Sequence, residues 1–278
     1  MNLENRIRLT SSCKDCEHLE RHPKAGKLET DEQGRLYQYM FNGIKILYGT
    51  YHSPWMNEIV ENLNGHHEPQ EELSFHFVLK TLGDSANMIE LGANWAYYSI
   101  WFNKLVKNPF NLCIEPIASN MMNGQKNIEL NECKNIEYVQ GYLGETYSDK
   151  EIFKNWDDSL IELRRFSLEK LVNDHNKYFD IIHADIQGDE LIVLQASESI
   201  LPRVGYFIIS THNDKHEKCL KLLNDYDFTI LIEHTIEQSF SADGLIVAIN
   251  NKNKNKYEFN IGSDLNNYFK QNCKITKA

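Results

Sequence analysis

The stretch MIELGANWAYYSIWF, Met88–Phe102, joins the end of an apolar run to a helix-length pattern across one glycine, Gly92. Residues 87–91 (NMIEL) read as a short buried strand carrying an acid, Glu90, close to its end, and residues 95–107 read as a helix. Strand, glycine turn and helix in that order form the opening unit of an open α/β sheet, whose ligands sit beyond the carboxyl ends of the strands. The residues around Gly92 therefore bear on both the fold and the ligand.

Downstream the alternation continues. Strands are predicted at 111–115 (NLCIE), 135–139 (NIEYV), 179–185 (FDIIHAD), 204–210 (VGYFIIS), 227–234 (DFTILIEH) and 244–250 (GLIVAIN), with helices at about 117–131, 167–175, 188–199 and 214–225. Such alternation predicts an α/β, doubly wound sheet of about seven mainly parallel strands covered on both faces. The last two strands have no helix between them, so a hairpin is expected there, giving one antiparallel strand at the C-terminal edge. The polar stretch NNKNKNKYEF, 250–259, reads as a solvated loop.

Upstream the pattern changes. Runs at 36–41 and 44–49 flank Asn42-Gly43, a pair that favours a type I′ hairpin because both positions accept positive φ. Ser53 reads as an N-cap with Pro54 at the first helical position, giving a helix over 53–64, and Pro69 and Gly83 bracket a second over 68–82. Residues 1–83 are thus expected to form a cap of hairpin and helices, and 84–278 the ligand-binding sheet domain.

The chain has 278 residues, 41% of them hydrophobic, enough for a substantial core. Its 29 basic and 40 acidic residues give a formal charge of −11, which argues against a nucleic-acid partner. There is no apolar run of the length that a membrane span or signal peptide needs, so a cytoplasmic protein is expected. Six cysteines suit reduced thiols, and Cys13, Cys16, His18 and His22 are close enough to raise zinc as an alternative.

The turn chemistry narrows the ligand. A pyrophosphate needs G-x-G-x-x-G, whereas here Gly92 is followed by Ala93, Asn94, Trp95 and Ala96. Glu90 would repel a phosphate but accept hydrogen bonds from an ammonium group. Glu115 lies 23 residues after Gly92, near the spacing at which an acid accepts the two hydroxyls of a ribose. Together the two acids outline an adenosine carrying a positive charge, as in S-adenosylmethionine.

MIELGANWAYYSIWF, LCIEP, NIEYVQGYLGE and FDIIHADIQGDELIVLQASESIL resemble, in order and spacing, the motifs of the FkbM-type family of S-adenosylmethionine-dependent methyltransferases, over residues 66–250. The resemblance implies a class I methyltransferase-like sheet. It also implies that Glu90, Gly92 and Asn94 line the methionine end of the cofactor, with Glu115 on the ribose and Gln140, Gly141 and Asp185 completing the set. The family's Asp-x-Glu-Gly-x-Glu reads here as Asp185-Ile186-Gln187-Gly188-Asp189-Glu190, with Gln187 in place of the first glutamate.

Methyl transfer to a hydroxyl needs alignment and a proton acceptor or a metal near the methyl group. Strand ends IIHAD and IISTHND bring His183, Asp185 and His212 to one rim, and His212 with Asp185 ranks first for catalysis, His212 as general base. The alternative is a Mg or Mn ion held by Asp185, Glu190 and His212. Trp55, Glu68, Glu71, Tyr98 and His183 are the expected substrate-binding residues. The family acts on small hydroxylated acceptors, so the expected reaction is O-methylation of a sugar or activated sugar. A nicotinamide-dependent oxidoreductase and a non-catalytic module of the same fold remain alternatives, and a homodimer is allowed.

Overall fold

The computed structural model describes every residue except Met1, Ser53, Trp156 and Asp157, so the predicted Ser53 cap lies outside the described residues. The central sheet comprises β1 (Ser85–Leu91), β2 (Asn108–Glu115), β3 (Ile136–Gln140), β4 (Phe179–Ala184), β5 (Val204–Thr211), β6 (Phe228–His234) and β7 (Gly244–Asn250). Their order is β6-β7-β5-β4-β1-β2-β3. β7 runs antiparallel to β5 and to the edge strand β6, and all other pairings are parallel. This is a class I methyltransferase-like sheet, built from the seven strands that the sequence predicts. Winding reverses between β1 and β4, which opens a crevice at their carboxyl ends.

Among the described residues, ten α-helices surround it: α1 (Leu3–Ser11), α2 (Pro54–Asn62), α3 (Pro69–Leu79), α4 (Tyr97–Leu105), α5 (Ala118–Leu130), α6 (Leu168–His175), α7 (Glu190–Gln195), α8 (His216–Asp225), α9 (Lys254–Ile261) and α10 (Leu265–Asn272). Because side chains alternate along a strand, each strand feeds two cores. Met88, Ile181, Tyr206, Ile208 and Val247 face α2, α3, α4 and α10. Ile89, Ile182, Phe207, Ile209 and Ile246 face α6, α7 and α8. The parity of the first set continues to Glu90, His183 and Ser210, which therefore lie on the α3 face.

Two small sheets flank the large one. Leu28–Thr30, Leu36–Tyr39 and Lys45–Leu47 form an antiparallel sheet. Its outer strand is capped by asparagines of α5: Asn131 accepts the Lys45 amide at 2.9 Å and Asn127 accepts that of Leu47 at 3.0 Å. This satisfies an edge that would otherwise present free amides. Tyr142–Leu143, Ser148–Lys154 and Leu160–Phe166 form the second, beside the crevice.

Several local expectations change. The Asn42-Gly43 connection is not a type I′ turn, because only Gly43 has positive φ; its amide bonds to Met40 O at 3.0 Å, giving a longer loop. The helix expected over 188–199 stops at Gln195 and resumes as a 3₁₀ segment, Glu198–Arg203, ahead of β5. The stretch 250–259 is not a solvated loop: Asn250 ends β7, and α9 buries Tyr257, whose hydroxyl donates to Asp180 at 3.1 Å. The Cys13–His22 group does not assemble a zinc site. Cys13 and Cys16 are buried, Cys16 Sγ donates to Pro69 O at 2.9 Å, and the His22 ring stacks on Tyr39. Among the described residues, no helix is long and apolar enough to cross a membrane.

Candidate active site

The carboxyl ends of β1, β2 and β4 open into a cleft of about 810 Å³, within the range of small-molecule sites. Its base is formed by Glu90, the Gly92–Trp95 turn, Glu115, His183 and Asp185; Tyr51, His67 and Glu68 close one side, and Tyr142, Phe153 and Lys154 the other.

The turn is tightly held. Gly92 has φ +77, and a Cβ there would overlap the carbonyl oxygen of Asp185, so β1 and β4 tips meet through a position only glycine can occupy. Asn94 takes φ 44, in the left-handed region that asparagine tolerates better than most residues, where the dinucleotide fingerprint has its second glycine. Glu115 organises this turn. Its Oε2 accepts the Asn94 amide at 2.9 Å, and its Oε1 accepts the Ile117 amide at 2.9 Å and Asn120 Nδ2 at 3.2 Å. Behind the turn the Tyr138 hydroxyl donates to the Asn94 carbonyl, packed against Gly124 of α5. Burial pushes the Glu115 carboxyl up despite these donors.

Glu90 is 3% exposed and lines the cleft, its Oε2 accepting the Ser99 amide of α4 at 2.9 Å. Burial is the larger influence and raises its carboxyl to about 7. Such a group is poised to lose its proton when a cation arrives.

α3 is buried on nearly every side, so its two glutamates meet partners rather than water. Glu72 bonds the Nδ1 of both His66 and His67, the latter at 2.5 Å, and also accepts the His67 amide at 3.0 Å. Burial would raise Glu72, but the two imidazoles reverse this and bring it to about 2. Burial would lower His67, yet Glu72 and Glu68 lift it to about 10. Glu71 accepts His183 Nε2 at 2.6 Å on one oxygen and the Ser210 hydroxyl at 2.5 Å on the other. His183 pairs in register with Glu90 across β4 and β1.

His212 does not line the cleft. Its Nδ1 lies 2.8 Å from Glu190 Oε1, and its Nε2 lies 3.0 Å from Asp243 Oδ1 and 3.5 Å from Asp185 Oδ1. Burial would lower this histidine, but Asp243, Glu190 and Asp185 raise it to about 11. Both ring nitrogens thus face carboxylates, a setting that favours the protonated ring over a free base. Glu190 Oε1 is further engaged by the Gly188 amide at 3.0 Å. Among the described residues, no group of three or more histidine, cysteine or acidic ligands converges, so the Mg or Mn site expected from sequence is not assembled. The signal for the His212 bridge was out of reach, since Asp243 comes from the loop before β7.

Of the other expected residues, Glu68, Tyr98, His183 and Asp185 line the cleft together with Glu90, Gly92, Asn94 and Glu115. Asp185 is raised by burial and by the neighbouring Asp243, Glu68 and Glu71, with His212 opposing, and Gln187 donates to it at 2.9 Å. Glu71 stands one layer behind, through His183. Gln140 is outside the cleft and donates to Pro116 O at 3.1 Å. Gly141 is also outside it, and there a Cβ would press on the Phe166 ring. Trp55 is not itself part of the lining but stacks loosely on His52, which is, under the Arg6 guanidinium. Sequence reasoning missed Glu72, Ser210 and Asp243. Ser210 could have been found from its parity with Ile208 and Tyr206.

No protein-family model and no curated protein matches the chain. Among solved structures it is similar to an rRNA methylase from Streptococcus thermophilus, 12% identical with a TM-score of 0.47, over 65% of this chain and 96% of that one. It is also similar to a ribosomal protein L11 methylase from Lactobacillus delbrueckii subsp. bulgaricus (15%, TM-score 0.45, 67% and 80%). A third is M. capricolum TrmK in complex with S-adenosyl-homocysteine (16%, TM-score 0.42, 64% and 68%).

Proposed function

We propose that the chain is an S-adenosylmethionine-dependent O-methyltransferase of FkbM type that acts on a hydroxyl of a small saccharide. One observation carries this reading: two buried carboxylates, Glu90 and Glu115, stand at the tips of adjacent strands on either side of the Gly92 turn, lining one cleft. Glu90 suits the ammonium of the donor's methionine portion. Glu115, with three protein donors on its two oxygens, has capacity for a further hydrogen bond from a ribose hydroxyl. The donor supplies an electrophilic methyl group on a sulfonium. Residues 1–83 act as the cap of the sheet domain, contributing Tyr51, His67 and Glu68 to the lining. Tyr51 and Trp95, which stack on each other at 4.0 Å, give this part of the lining an aromatic wall. Asp158, Asp185, Asp189 and Glu68 in the lining favour a neutral sugar over a phosphorylated one.

Calorimetric titration with S-adenosylhomocysteine and with NAD tests the donor, and labelled methyl donor with a panel of neutral, amino and nucleotide-activated sugars tests the acceptor. Binding of NAD alone would reject the reading. Glu115→Ala is expected to weaken S-adenosylhomocysteine by about 1–3 kcal/mol through lost hydrogen bonds.

Affinity should also depend on pH. The Glu90 carboxyl sits at about 7 in the free protein, and an ammonium partner favours its ionised form, so binding strengthens as pH rises to about 7 and then levels off. Below that point the loss approaches about tenfold per pH unit. Titrations in buffers of different ionisation enthalpy should show proton release at pH 6, and a pH-independent affinity in Glu90→Gln.

A further inference from the structure

Two buried polar atoms, on side chains of α4 and β4 that line the cleft, have no hydrogen-bond partner within the protein: His183 Nδ1 and the Tyr98 hydroxyl. Both side chains line the cleft, at 3% and 4% exposure, and their rings lie 4.4 Å apart. Buried polar groups are nearly always paired, so two adjacent orphans in one cleft mark a place for a ligand's polar group. The other ring nitrogen of His183 is occupied. Nε2 faces Glu71 Oε1 at 2.6 Å, and the second oxygen of Glu71 takes the Ser210 hydroxyl at 2.5 Å. A carboxylate on Nε2 keeps the proton there and leaves the lone pair on Nδ1, the nitrogen without a protein partner.

We propose that His183 is the proton acceptor for the acceptor hydroxyl, with Tyr98 bonding the same oxygen and Glu71 and Ser210 positioning the imidazole. The proposal rests on the methyltransferase reading. The acceptor oxygen forms its bond to the methyl carbon while the carbon–sulfur bond breaks and its electron pair stays on sulfur. The hydroxyl proton passes to His183 Nδ1, and the resulting imidazolium is stabilised by Glu71. Groups facing the ring are Glu71 and Phe75 from α3, Glu90 from β1, Tyr98 from α4, Ser210 from β5 and Asp185 at the end of its own strand. Burial opposes the charged imidazole, but Glu71, Glu90 and Asp185 favour it.

Histidine ¹⁵N NMR on the full chain tests the pair without an acceptor, with the His183 signals identified by their loss in His183→Gln. The neutral ring should be the Nε2–H tautomer. Its titration should fall in Glu71→Gln, where the anion is gone, and rise in Ser210→Ala, where Glu71 keeps its charge but loses a donor. The opposite tautomer, or a titration indifferent to both changes, would overturn the proposal. With a sugar that turns over, folded His183→Gln should lose about 10²–10⁴-fold in kcat and retain S-adenosylhomocysteine affinity. Glu71→Gln should lose less and shift the rising limb of kcat to lower pH. Normal turnover by His183→Gln would also reject the assignment. If the wild-type chain fails to bind S-adenosylhomocysteine, the donor reading falls, while the NMR result still decides whether Glu71 tunes His183.

Discussion

Gly92→Ala is expected to destabilise the protein by about 2–6 kcal/mol, combining strain at positive φ with overpacking against backbone. The added methyl group would meet the Asp185 carbonyl oxygen, which belongs to the main chain and cannot swing aside as a side chain could. The same oxygen's strand is tied to β1 by the Asp185 amide, which donates to Leu91 O at 3.0 Å. Relief would therefore have to part the two strands at the mouth of the cleft. Gly34→Ala is the control, because Gly34 has φ +80 with nothing within 4 Å and reports conformational strain alone. Urea unfolding of both variants separates the contributions. Equal losses would show that the close approach of β1 and β4 is not what fixes this glycine.

The second large effect is expected at Glu72. Glu72→Gln removes the charge that bonds both of two fully buried imidazoles and should cost about 3–5 kcal/mol, the range for breaking a buried ion pair from one side. Its pH dependence has a definite sign. Glu72 is lowered from its ordinary 4.5 to about 2, so its contribution is complete above 4.5 and is lost as pH falls through about 2. His67 is raised from 6.5 to about 10, so its contribution is complete below 6.5 and is lost as pH rises through about 10. The difference in unfolding free energy between wild type and Glu72→Gln should accordingly be greatest between pH 4.5 and 6.5 and shrink on either side. A difference that stays flat from pH 3 to 10 would show that the histidines are neutral and that Glu72 acts through packing.

The large sheet was legible because its strands are continuous apolar runs, such as VGYFIIS, separated by helices with a buried stripe. The second small sheet was not. Ser148–Lys154 and Leu160–Phe166 are mostly exposed or half-buried along their length and carry charges in place of a hydrophobic run. α9 escaped for a related reason, since Tyr257 is its only fully buried residue. Within the cleft, Glu90, Gly92, Asn94 and Glu115 were accessible to reasoning because they flank one turn and its neighbouring strand tip. What separates His212 from His183 is a tertiary fact. Proximity to a strand end placed both histidines at the rim, but only the carboxylates supplied by α3, α7 and the loop before β7 decide which imidazole keeps a free lone pair.

The proton-acceptor cluster is assembled from distant parts of the chain: Glu71 reaches across 112 residues to His183 and across 139 to Ser210. During synthesis α3 leaves the ribosome long before either partner exists; Glu72 can meet His66 and His67 locally, but Glu71 cannot meet His183 or Ser210. Its docking must await the closing of the sheet, an event dominated by non-local contacts and therefore slow. Chemical competence would then appear last in maturation, leaving nascent and half-made chains unable to consume methyl donor.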